Sequence, residues 1–135
     1  MKTLPILVIL LLLCGLALAG CGAQTDEPAD QVFSLRTGVV EGHMAYIGVG
    51  GTIDGQVNPD LTVQTGQRVR IAIINGDGVS HDLALPDLGR QTAAVMGKEN
   101  TSALTFTASE AGVYAYVCTV AGHRQAGMEG RLVVQ

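Results

Sequence analysis

The 135-residue sequence has no tryptophan, three cysteines and eight lysines and arginines in total. Each scarcity excludes something. With 12 Asp+Glu against 8 Lys+Arg and a formal charge of -4, the basic footprint of a nucleic-acid binder is missing. An odd number of cysteines does not suit a disulfide framework. The length allows one domain and hardly two, which excludes most multi-domain enzymes and leaves room for one modest hydrophobic core. Helical patterning is also scarce: past the first residues, no stretch of ten or more carries a 3.6-residue apolar period.

The mean hydropathy of +0.34 hints at a membrane, but the excess is concentrated in residues 1–20. Lys2 gives a short positive start, and Leu4 to Leu18 is apolar except for Pro5 and Gly15. A run of about 15 residues is short for a bilayer span, which needs roughly 20, and reads as a secretory signal peptide. Leu18-Ala19-Gly20-Cys21 resembles the bacterial lipobox. That resemblance implies cleavage before Cys21 and lipid attachment to it, and so a mature protein outside the cytoplasm. It would be anchored to the outer face of the cytoplasmic membrane or lie in the periplasm. Residues 21–31 include the polar, acidic stretch GAQTDEPAD and read as a flexible tether, leaving 32–135 as the single folded domain.

From Phe33 onward the pattern has period two. Arg68-Val69-Arg70-Ile71-Ala72-Ile73 alternates as a half-buried strand should, and Val113 to Cys118 reads as a strand buried on both faces. Thr105–Thr107 and Arg131–Val134 are further short strands. Turn signals separate them at Asn58-Pro59-Asp60, Thr65-Gly66-Gln67, Asn75-Gly76-Asp77-Gly78 and Glu110-Ala111-Gly112. The pattern predicts an all-β domain, an antiparallel Greek-key sandwich of about seven or eight strands.

The chemistry is concentrated in Cys118-Thr-Val-Ala-Gly-His123-Arg-Gln-Ala-Gly-Met128, just after a strand. A thiolate, an imidazole and a thioether fall within one short loop. His81 opens the strand-like run His81-Asp82-Leu83-Ala84-Leu85 upstream. Two His, one Cys and one Met make the donor set of a trigonal copper site with a weak axial thioether, in which soft sulfur suits Cu(I) and imidazole suits either oxidation state. Other signals read as structure. His43 and Met44 have no third partner nearby in the sequence, and EGHMAYIGVGG reads as a strand entering a turn. Gly48-Val49-Gly50-Gly51 lacks the Lys-Ser/Thr of a phosphate loop.

The Cys-x4-His-x4-Met spacing, with the stretches GxxHDL and YxYxCTxxGHxxAGMxG, resembles the cupredoxins. These are small blue-copper electron carriers such as azurin, plastocyanin and the auracyanins. The spacing resembles auracyanins more than azurins, and the stretches also resemble the cupredoxin domains attached to copper nitrite reductases. The resemblance covers roughly Tyr46 to Gln135. It implies one type 1 copper ion cycling between Cu(II) and Cu(I), with His81, Cys118 and His123 as strong equatorial ligands and Met128 as the long axial one. It also implies that Asp82, following the first histidine, bonds to Thr119 in the ligand loop and so fixes it. Where the family often has Pro-Gly before the loop histidine, this chain has Ala121-Gly122.

The resemblance further implies a monomeric carrier of single electrons between redox proteins, rather than an enzyme. Copper oxidases and nitrite reductases typically carry a histidine directly after the blue-copper cysteine. Here that residue is Thr119, and only one histidine remains beyond the two in the site. Copper-storage proteins favour Met-rich or His-rich tracts, which are absent here. An accessory role in a nitrite reductase or oxidase system, or copper handling, is the alternative.

Overall fold

The computed structural model describes residues 28–135. The expected leader, Cys21 and most of the expected tether lie outside the described residues. Among the described residues no helix is long and apolar enough to cross a membrane.

Alternating burial builds the frame. Strand β4 (Arg68–Ile74) buries Val69, Ile71 and Ile73 while Arg70 faces solvent. It lies between β1 (Gln31–Val40) and β7 (Thr101–Thr107), and β2 (His43–Val49) completes a four-stranded sheet in the order β2-β1-β4-β7. The second sheet has five strands in the order β3-β9-β8-β5-β6. They are β3 (Asp60–Val63), β5 (Ala84–Leu85), β6 (Arg90–Gln91), β8 (Gly112–Val117) and β9 (Glu129–Val134). The inner faces meet in one core that includes Leu35, Tyr46, Ile71, Tyr116 and Leu132, all fully buried.

The all-β sandwich expected from the sequence is present, with two refinements. Both sheets are mixed, because β1 runs parallel to β4 and β3 runs parallel to β9. In addition, β5 and β6 are two-residue strands, too short for a period-two pattern to register. β8 is also not buried on both faces. Val113 is 61% exposed opposite Val133, because among the described residues no further layer covers the outer face of that sheet. Only the end of β8, at Tyr116 and Val117, is buried, and this is the end that leads to Cys118.

Tyr116 packs edge-on against Tyr46, with ring centroids 5.4 Å apart, and its hydroxyl donates to the Pro59 carbonyl at 2.7 Å. Gly130 lies directly opposite Tyr116 in the β8–β9 ladder, and a Cβ there would fall 2.2 Å from the ring. The glycine makes room for the tyrosine at the edge of the site.

Candidate metal centre

Cys118 follows β8 directly, and its N–H donates to the Met128 carbonyl at 3.2 Å as the ladder opens. The loop between them is a series of tight turns. The His123 N–H donates to the Val120 carbonyl at 3.0 Å, and the Met128 N–H donates to the His123 carbonyl at 3.1 Å. Residues 118, 123 and 128 are therefore tied to one another through backbone before any side chain is considered. Gly127, at φ 106°, closes the loop against β2; a Cβ there would lie 3.2 Å from the Met44 carbonyl oxygen. Asn58 clamps the same point, accepting from the Tyr46 N–H at 2.9 Å and donating to the Gly127 carbonyl at 2.9 Å.

His81 comes from the other side. The expected strand from His81 to Leu85 is confined to Ala84 and Leu85. His81 itself sits in an isolated bridge with Val95, exchanging both backbone hydrogen bonds at 3.0 and 2.7 Å. The effect on placement is the same, because the bridge holds the ring inward.

His81, Cys118 and His123 each offer one ligand atom, and these atoms all lie within 4.8 Å of one another. His123 Nδ1 is 3.2 Å from His81 Nδ1 and 3.5 Å from Cys118 Sγ. All three residues are buried, at 0%, 2% and 8% exposure for His81, Cys118 and His123. Met128 is fully buried in the core and is joined by backbone hydrogen bonds to both Cys118 and His123. Two imidazole nitrogens and a sulfur at these separations form a group that can hold a metal ion. The borderline-soft combination of two nitrogens with one sulfur fits a type 1 copper. Burial pushes the Cys118 thiol up, against backbone hydrogen bonds to Asp82 and Val120, so a metal must displace a firmly held proton. Burial, and then the facing His81, hold His123 below the usual histidine range, keeping its imidazole neutral and available as a ligand.

The expected Asp82–Thr119 link is present. Asp82 Oδ1 accepts from the Thr119 N–H at 2.7 Å, and Oδ2 accepts from the Thr119 hydroxyl. Burial raises the Asp82 carboxyl, but these donors and the Gln91 amide outweigh it and leave the group below its ordinary value. The Tyr46 hydroxyl, kept protonated by burial, donates to the Asp82 carbonyl from beneath.

Four supporting residues were not legible as such in the sequence. Asn58 and Asp77 lay inside turn signals and read as loop formers. Tyr46 read as an ordinary strand residue. Gln91, which donates to Asp82 at 2.8 Å and to the Thr119 hydroxyl at 3.2 Å, belongs to a two-residue strand with no pattern of its own. His43, expected to be structural, is exposed at the start of β2 and lies outside the ligand cluster.

A family model described as a cupredoxin-like domain matches residues 51–134. No curated protein sequence matches the chain. Among solved structures it is similar to auracyanin B, with a TM-score of 0.58, 20% identity, and coverage of 82% of this chain and 92% of that one. Auracyanin A, a "blue" copper protein from the green thermophilic photosynthetic bacterium Chloroflexus aurantiacus, is similar at a TM-score of 0.54 and 23% identity, covering 77% of this chain and 98% of that one. The multicopper oxidase McoA from the hyperthermophile Aquifex aeolicus is similar at a TM-score of 0.55 and 21% identity, over 80% of this chain but only 27% of the oxidase. At these identities the likeness is one of fold.

Proposed function

Because this chain belongs to the cupredoxin-like domain family, we infer that it is a single-electron carrier. It would hold one type 1 copper ion on His81, Cys118 and His123, with Met128 as a weaker fourth ligand. The convergence of two histidine Nδ1 atoms and the Cys118 Sγ inside a buried pocket carries this reading. Bound there, copper supplies a Cu(II)/Cu(I) couple that accepts and releases one electron.

The residues supply a rigid, dry and nearly closed frame for that couple. His81 and Met128 are sealed from water, so no position is open to a substrate. A shallow depression of about 300 Å³ opens over the ligand loop, lined by residues including Pro86, Cys118, Ala121, Gly122 and Arg124, and His123, the most exposed of the four, follows Gly122 in that loop. The exposed Ala121 and Gly122 leave this face of the loop open to a redox partner, and close approach is what outer-sphere transfer requires. Thr119, standing where copper enzymes of this family typically place a relaying histidine, favours a carrier over an enzyme.

The lipobox-like Leu18–Cys21 segment supports a carrier tethered to a membrane. Strand β1 begins ten residues after Cys21, a reach of at most about 35 Å when fully extended. Labelling with a radioactive fatty acid, lost in Cys21→Ala, tests the anchor.

The test of the central reading is the visible spectrum of the protein loaded with Cu(II). An intense thiolate-to-copper band is expected in the wild type and absent in Cys118→Ser. A folded protein that binds Cu(II) without colour sinks the reading.

A further inference from the structure

The two ring nitrogens of His81 meet different surroundings. Nδ1 faces the ligand cluster, 3.2 Å from His123 Nδ1. Nε2 faces away and meets both carboxylate oxygens of Asp77, at 2.9 and 3.0 Å. A carboxylate only accepts, so Nε2 must carry a proton, and in the neutral imidazole Nδ1 is then left bare.

Asp77 is held for this contact. Its Oδ1 also accepts from the Val79 N–H at 2.9 Å, closing a small turn around the carboxylate. Beneath it, the fully buried Asn75 accepts from the Gly78 N–H at 2.7 Å and donates to the Val79 and Val95 carbonyls at 2.5 and 3.1 Å. Gly78, at φ 91°, supplies the left-handed turn that brings the chain back toward His81. Val95, an acceptor for Asn75, is also the bridge partner of His81, so one network fixes both the ring and the carboxylate behind it. The His81 side chain is fully buried and that of Asp77 is 21% exposed, which limits the screening of the pair by water.

We propose that Asp77 is a positioning residue of the metal centre. It locks the His81 ring and its Nε2–H tautomer so that a bare Nδ1 is presented to the ion. Its negative charge, relayed through the imidazole, makes His81 a stronger donor and favours Cu(II) over Cu(I). The second part rests on the copper-carrier reading; the first part does not.

The experiment has a metal-free arm and a copper arm. Nitrogen-15 NMR of the metal-free wild type is expected to show His81 as the Nε2–H tautomer, and Asp77→Asn to make the tautomers mixed. With copper, Asp77→Asn is expected to keep its blue band while Cu(II) affinity falls about 10- to 100-fold. Cu(I) affinity should fall less. A tenfold drop in the Cu(II)/Cu(I) affinity ratio corresponds to a rise in potential of about 59 mV for one electron. Asp77→Ser keeps a short acceptor for Val79 without the reach to His81, and serves with the same expectations if the Asn variant does not fold. An Nδ1–H tautomer in the wild type overturns the proposal. So does a variant whose affinity ratio and potential match the wild type. A wild type that takes up no copper defeats the carrier reading instead, and the tautomer then decides the role of Asp77 alone.

Discussion

Asp82 grips Thr119 by both of its donors, the backbone N–H at 2.7 Å and the hydroxyl, across 37 residues of sequence. Each partner directly follows a residue of the ligand cluster, His81 for Asp82 and Cys118 for Thr119. The link therefore sets the distance between the two sides of the site. Thr119→Ala removes the charge-assisted bond to Asp82 and the acceptor of the Gln91 amide, leaves the N–H bond, and is expected to cost about 1.5–3 kcal/mol of stability. Denaturant titration of the metal-free protein checks this. Copper loss to a chelator should also be faster than in the wild type. Unchanged stability together with unchanged copper retention would show that the link is incidental.

The fit of Gly130 against Tyr116 gives a purely steric prediction. A Cβ at 130 meets ring atoms at 2.2 Å, and the ring is fully buried with no room to swing away. Gly130→Ala is expected to destabilise the fold by about 1–3 kcal/mol. At Gly38 a Cβ would only come within 3.4 Å of the flexible end of Ile47, so Gly38→Ala should cost clearly less. Thermal unfolding of the two variants makes the comparison; equal Tm values would mean that the Tyr116 edge is not tightly packed.

What the sequence revealed and what it concealed divide along a physical line. β4 and the turns around it were legible because alternation and Gly or Asn punctuation are local signals. The grouping of His81, Cys118 and His123 was legible because two of the three donors share one loop after one strand. The parallel pairings of β1 with β4 and of β3 with β9 were not, since pairing joins segments far apart and leaves no trace in either strand alone. Asp77 and Gln91 were hidden for a similar reason. Their reach to His81 and Asp82 depends on the Gly78 turn and on a two-residue strand. Val113 misled in the opposite direction, because an apolar residue does not show whether a second layer will cover it.

The depression over the ligand loop gives a prediction about partners. Ala121 is exposed next to the depression that runs from Pro86 to Gln125. A carboxylate on this exposed residue adds charge and bulk where a partner must approach, and Ala121 is itself not one of the grouped ligand residues. Ala121→Asp is expected to slow electron exchange with a redox partner at least about tenfold, an added barrier of about 1.4 kcal/mol. The visible spectrum should stay nearly unchanged. Stopped-flow mixing with oxidised and reduced partner fractions measures the rate; an unaltered rate places the docking face elsewhere.

Met128 is the donor whose role depends most on its surroundings. It is fully buried, and its backbone joins both Cys118 and His123, so its side chain has a core function whether or not it reaches the ion. Two substitutions separate these roles. Met128→Leu keeps an apolar chain of similar size and should cost less than about 1.5 kcal/mol of stability. If the thioether is the weak axial donor, losing it should raise the potential, because Cu(II) gains more than Cu(I) from any fourth ligand. Met128→Gln offers a harder oxygen that favours Cu(II), and should lower the potential. Burying the amide should cost stability by about 1–3 kcal/mol unless the metal engages it. Voltammetry of both variants against the wild type reads the two shifts directly. Opposite signs assign Met128 to the copper; two potentials equal to the wild type would assign it to the core alone.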